Sequence, residues 1–109
     1  MVRKQTTIRM PAELNQKLDS LSDKLGFTRS DLIKSSVLTY LVSKELNDFE
    51  PVTVGSGDFV RTGIYFNDNL KELLEKQAEA NHTSINSLII YSAEKTYEYY
   101  SKLLEELGF

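Results

Sequence analysis

The chain has 109 residues, a net charge of −3 and no cysteine. That length suits one compact domain, and the lack of cysteine excludes disulfide frameworks, thiolate zinc sites and cysteine nucleophiles. A single histidine, His82, leaves no cluster for a metal or a catalytic triad, and no apolar run approaches the roughly 18 residues of a membrane span.

The first residues lack the apolar stretch of a secretory leader, so a cytoplasmic location is expected. A pI near 5.1 counts against a general nucleic-acid binder, which is usually basic. The charge is unevenly placed, however: residues 1–12 hold Arg3, Lys4 and Arg9 and no acid. A local basic edge on an acidic body can still dock on phosphate.

From Gln5 to Met10 polar and apolar residues alternate, which predicts a short strand. Alternation puts Thr6, Ile8 and Met10 on one face and Gln5, Thr7 and Arg9 on the other. Pro11 suits the first turn of a helix. Leu14, Leu18, Leu21 and Leu25 follow at helical spacing, and Gly26 suits the position just past a helix end. Thr28 is placed to cap a second helix. That helix carries Leu32, Ile33, Val37, Tyr40 and Leu41 on one face and is expected to run to about Leu46.

Residues 47–58 contain Asp48, Pro51, Gly55, Ser56 and Gly57 and read as a linker. About a dozen residues can span at most roughly 40 Å, so the following segment can reach back across the preceding one. Residues 59–66 predict a second strand with Thr62, Ile64 and Phe66 inward and Arg61, Gly63 and Tyr65 outward. Asn67 can cap a helix carrying Leu70, Leu73, Leu74 and Ala78, ended by Asn81 or His82. Ser84 caps a last helix through Leu88, Ile89 and Ala93 to about Leu107, rich in tyrosine at Tyr91, Tyr97, Tyr99 and Tyr100.

The two halves repeat with an offset of 56 residues and no gap: Thr6 matches Thr62, Ile8 matches Ile64, Leu14 matches Leu70, Leu18 matches Leu74, and Leu32-Ile33 matches Leu88-Ile89. Half the chain is near the size at which a lone core is marginal, roughly 40 to 60 residues. Two copies of a unit that cannot bury its own apolar face are expected to share one core.

Strand, helix, turn, helix, carried here by Lys4–Pro11, Gly26–Ile33 and Thr83–Ile89, resembles the ribbon-helix-helix family of DNA-binding proteins. The tandem arrangement is similar to small regulators of archaeal viruses and plasmids. The resemblance implies a mainly α fold with a short two-stranded antiparallel ribbon. Two ribbon-helix-helix units, residues 1–46 and residues 59–109 with an extended last helix, would form an intrachain pseudo-dimer, with residues 4–10 pairing with residues 60–66.

The function it implies is that of a sequence-specific transcriptional regulator, an activator or a repressor, which inserts the ribbon into the major groove of double-stranded DNA. Gln5, Thr7, Arg9, Arg61, Gly63 and Tyr65 would then meet base edges. Arginine can fork to guanine, glutamine can pair with adenine, and threonine or tyrosine can touch a thymine methyl. The other reading of each is a solvated strand face. Phosphate contacts are expected from Arg3 and Lys4 and from the second-helix N-termini, Thr28-Arg29-Ser30 and Ser84-Ile85-Asn86, where free N–H groups and the helix dipole attract anions. Ordinary capping is expected there in any case, with phosphate contact as an addition to it. Asp31 opposes an anion in the first copy, and Ile85 in place of Arg29 weakens the clamp in the second.

His82 stands where the first copy has Gly26, which puts the turn geometry of the second copy in question. On the last helix Tyr97, Tyr100 and Leu104 are candidates for self-association into higher oligomers; the other reading is extra core. Because the two strands differ, an operator with non-identical half-sites is expected. The other functional reading is a protein-interaction module, such as an antitoxin or a partition adaptor. No nucleophile-and-base set, Gly-rich phosphate loop or metal cluster is found, so neither an enzyme, a small-molecule substrate nor a cofactor is expected. If the protein is viral, its location is the host cytoplasm.

Overall fold

Alternation at the two ends of the repeat becomes an antiparallel ribbon of β1 (Thr6–Pro11) and β2 (Phe59–Ile64). Around it stand four helices: α1 (Ala12–Leu25), α2 (Arg29–Tyr40), α3 (Asp68–Ala80) and α4 (Ile85–Leu107). The chain is thus mainly helical with one two-stranded sheet. This computed structural model describes residues 5–42, 46 and 58–109. Arg3, Lys4 and most of the expected linker lie outside the described residues.

The pairs run from Thr6 opposite Ile64 to Pro11 opposite Phe59, within the one chain. They keep the register expected for residues 4–10 with 60–66; the ladder begins at Thr6 and runs one pair further, to Pro11 and Phe59. Thr7 faces Gly63, and these two are separated by the same 56 positions as the sequence repeat. Thr6 opposite Ile64 and Ile8 opposite Thr62 flank that centre as equivalent pairs.

Main-chain direction alternates along a strand. The amide and carbonyl of Arg9 both bond to the Asn86 side chain, away from β2, whereas the Ala12 amide bonds to the Asp58 carbonyl at 3.0 Å. Odd-numbered residues of β1 therefore point their polar groups outward. Pro11, which has no N–H, costs the ladder nothing at such a position.

Three helices start on side-chain caps read from sequence: Thr28 accepts from the Asp31 amide, Asn67 from the Leu70 amide and Ser84 from the Ser87 amide. Gly26 ends α1 in the left-handed region at φ 77°, its amide bonded to the Ser22 carbonyl. His82 adopts the same region at φ 51°, with its amide on the Glu79 carbonyl and the Thr83 amide on the Ala78 carbonyl. This double bond pattern closes a helix end when the residue past it turns left-handed. The second turn therefore keeps a left-handed form without glycine.

Helix α2 is shorter than its apolar spacing predicts, ending at Tyr40 rather than near Leu46. The Leu41 carbonyl, which another turn would have occupied, instead accepts from Gln77 Nε2 at 2.7 Å, in a buried bond from α3. A tertiary partner satisfies the helix end in place of further helix.

The buried core draws on both halves: Ile8, Met10, Leu18, Leu32, Ile33, Val37 and Leu41 from the first, Ile64, Leu74, Leu88, Ile89, Ile90 and Ala93 from the second. Helix α4 contacts α1, α2 and α3. Polar atoms inside are paired. Ser36 Oγ donates to the Leu32 carbonyl at 2.6 Å and lies 2.6 Å from Thr96 Oγ1. Since Ser36 has one proton and gives it to Leu32, Thr96 is the donor in the second bond.

Candidate nucleic-acid interface

Of the six residues assigned to the outer ribbon face from alternation, Thr7, Arg9, Arg61 and Gly63 lie in the paired strands, and Gln5 and Tyr65 stand next to their ends; all six are exposed, while Ile8, Met10, Ile64 and Phe66 are buried. Arg9 lies directly opposite Arg61. Because the odd positions are non-hydrogen-bonded pairs, their side chains sit at the closer of the two cross-strand spacings, with Cα atoms typically about 4.5 Å apart. Like charges directly opposite one another destabilise a ribbon. No residue of β1, and none of residues 59–66, is acidic, and among the described residues neither arginine forms an ion pair.

The Arg9 guanidinium sits 4.0 Å from the centre of the Phe59 ring. Its main chain is held at the same time, the amide donating to Asn86 Oδ1 at 2.7 Å and the carbonyl accepting from Asn86 Nδ2 at 3.0 Å. At the centre, a Cβ added to Gly63 would come 2.5 Å from Gln5 Oε1. The space above Gly63 is filled by the Gln5 carboxamide, a flexible end that can move aside.

The N-termini of α2 and α4 flank the ribbon on opposite sides. Asn86 ties α4 to β1, and Arg29 ties α2 to β2 through Nη2 and Thr62 Oγ1 at 3.0 Å. Arg29 also donates to Asn15 Oδ1 at 2.7 Å and pairs with Asp19 at 3.3 Å. Arg29 and Asn86 were expected to reach phosphate; the structure gives both side chains to the protein itself. The cause is proximity: each helix N-terminus abuts a strand from the other half, whose polar groups reach the side chain first. Thr28 and Ser84 accept from backbone amides as caps, and each hydroxyl keeps its own proton for a further acceptor. Ser30 and Ile85 are half-buried beside them.

The three candidates for self-association do not share one exposed surface. Leu104 is buried in the protein's own core, which corrects its assignment to a surface contact. Tyr97 is half-buried against the α1 side, its ring 5.1 Å from Lys17 Nζ. Tyr100 lies toward α2, edge-on to Tyr99 in a cleft of about 360 Å³ lined also by Ser35, Thr39, Tyr40 and Thr96. Helix α4 contacts both α1 and α2, so residues on one stripe meet different neighbours. Burial, with Tyr100 and Tyr99 beside it, pushes the Tyr40 phenol up. On the α1 side burial and Glu98 push the Glu94 carboxyl up, with Lys17 and Lys95 opposing.

Sequence reasoning gave no role to Phe59, Asn15 or Asp19. Phe59 could have been found from its parity with Arg61 and Tyr65. Asn15 and Asp19 offered no such signal, because their partner Arg29 lies one helix away.

Among the described residues no helix is long and apolar enough to cross a membrane, and no group of three or more His, Cys, Asp or Glu is placed to hold a metal ion. Compared with protein-family models, curated proteins and solved structures, the chain gives no match.

Proposed function

We propose that the protein is a sequence-specific DNA-binding transcriptional regulator of ribbon-helix-helix type, whose two halves act as a pseudo-dimer within one chain and lay the ribbon into the major groove. The observation that carries this reading is the outer face itself: exposed, free of acid, with Arg9 facing Arg61 on a chain whose net charge is −3. A polyanion relieves that like-charge pair, and a two-stranded ribbon fits the major groove. The pseudo-dimer is supported by the register, which is centred on Thr7 and Gly63, equivalent positions of the repeat.

The two strands offer different groups, Gln5, Thr7 and Arg9 against Arg61, Gly63 and Tyr65. The operator therefore has two unlike half-sites. Selection from random duplex DNA at about physiological salt tests this, because affinity without stated salt has no meaning here. An enriched motif with unlike halves is expected; a folded protein that enriches nothing refutes the proposal. Arg9→Ala should weaken specific binding by about 1–3 kcal/mol while leaving random DNA unaffected. Equal loss on both assigns Arg9 to phosphate, and a melting curve excludes simple unfolding.

A second reading is favoured by Leu38, Val42 and Tyr99, each more than half exposed. Apolar and aromatic side chains left in water suit a protein-interaction module, such as an antitoxin or a partition adaptor. Stoichiometric co-purification of a second protein, lost on Leu38→Glu, distinguishes it.

A further inference from the structure

Arg9 is held on the outer ribbon face through both its main chain and its side chain. Asn86 claims both of its main-chain polar groups, and Phe59 lies under its guanidinium. Phe59 stands diagonally across the ribbon, two residues before Arg61 in β2, on the same face. A stacked guanidinium keeps its N–H donors around its edge while its carbon face rests on the ring. Arginine carries much rotamer freedom, and ordering such a side chain at an interface opposes binding. A ring that holds it beforehand removes part of that cost.

Among the described residues the second half has no equivalent device. Arg9 corresponds to Tyr65 in the repeat, and Asn86 corresponds to Ser30, whose short side chain lacks a carboxamide to bond a strand amide and carbonyl together.

We propose that Phe59 is a positioning residue that presets the Arg9 guanidinium for base reading, so that the operator half facing β1 is read more stringently than the half facing β2. The inference rests on the DNA-binding reading above and goes beyond it by assigning a role to Phe59 and a direction to the asymmetry. Phe59 acts through Arg9 and needs no contact with DNA of its own.

The test uses Phe59→Leu, which keeps apolar bulk and removes the ring, and Phe59→Tyr, which keeps the ring. Affinity is measured for the selected operator and for random duplex DNA, in the wild type and in an Arg9→Ala background. Phe59→Leu is expected to weaken operator binding about three- to tenfold and to leave random DNA unchanged, the size set by ordering one long side chain. Phe59→Tyr should restore wild-type affinity. In the Arg9→Ala background Phe59→Leu should have no further effect. An effect that persists there means that Phe59 touches DNA directly and overturns the proposal. Tighter binding by Phe59→Leu also overturns it, since the stack would then be a restraint that Arg9 must leave.

A readout without DNA completes the test. Ring current should shift the Arg9 side-chain protons upfield in the free wild-type protein, and Phe59→Leu should abolish the shift. No shift in the wild type removes the stack and the proposal with it, whatever the DNA result. Failure of the wild type to prefer any DNA would instead overturn the DNA-binding reading, and the positioning role with it, while the ring-current result would still report whether the stack exists.

Discussion

His82 holds a left-handed backbone at φ 51°, a region that carries little cost only for glycine. Its side chain is exposed and the bonds that close the turn are made by main-chain groups, so glycine fits without loss of contact. His82→Gly should therefore raise stability by about 0.5–1 kcal/mol, the local strain relieved being partly offset by extra freedom in the unfolded chain. The rise is read as a few degrees in Tm; an unchanged or lower Tm contradicts it. Inside the core, proton counting separates two partners. Ser36→Ala strands the Thr96 hydroxyl and removes a bond to the Leu32 carbonyl, and should cost about 1–3 kcal/mol. Thr96→Val leaves the Ser36 proton on Leu32 and should cost less. Urea unfolding of both variants ranks them, and the reverse order would show the donor assignment to be wrong.

At the scale of elements, the ribbon is held by more than its own ladder. A two-stranded sheet is marginal alone, and β1 is braced by the Asn86 carboxamide from the second position of α4. Asn86→Ala frees the Arg9 amide and carbonyl to solvent while Ser84 still caps the helix. Amide exchange should accelerate at Arg9 and stay slow within α4, with a stability loss of about 1 kcal/mol. Acceleration along the whole of α4 would mean that Asn86 supports the helix rather than the strand. The faces of both strands and three of the helix caps were legible in the sequence, because alternation and capping are local chemistry. The end of α2 was not. Its apolar spacing continues past Tyr40, and the group that satisfies the Leu41 carbonyl, Gln77, is 36 positions away.

At the scale of the molecule, both halves feed one core in which α2 and α4 are joined by the Ser36–Thr96 bond. Neither half buries that face alone. Unfolding should be a single transition by circular dichroism and by tyrosine fluorescence, with a midpoint independent of protein concentration. A midpoint that rises with concentration would show that folding depends on a second chain. Two separate transitions would show that the halves fold independently.

The amino-acid sequence alone determined the order of the elements, which residues of each strand turn inward, three of the helix caps and the inward set at the heart of the core. Each follows from neighbours a few positions apart: period two in a strand, near four in a helix, a hydroxyl or carboxamide ahead of the first turn. Only the tertiary structure decided where the polar side chains at the helix N-termini would spend their hydrogen bonds. Asn86 bonds a strand 77 positions away, and Arg29 bonds Thr62, 33 positions away. It also decided that Arg9 rests on Phe59 and that Leu104 turns inward. Such pairs leave no local pattern, because they depend on which surfaces meet after the helices have packed, and a polar group takes the partner that packing brings within reach.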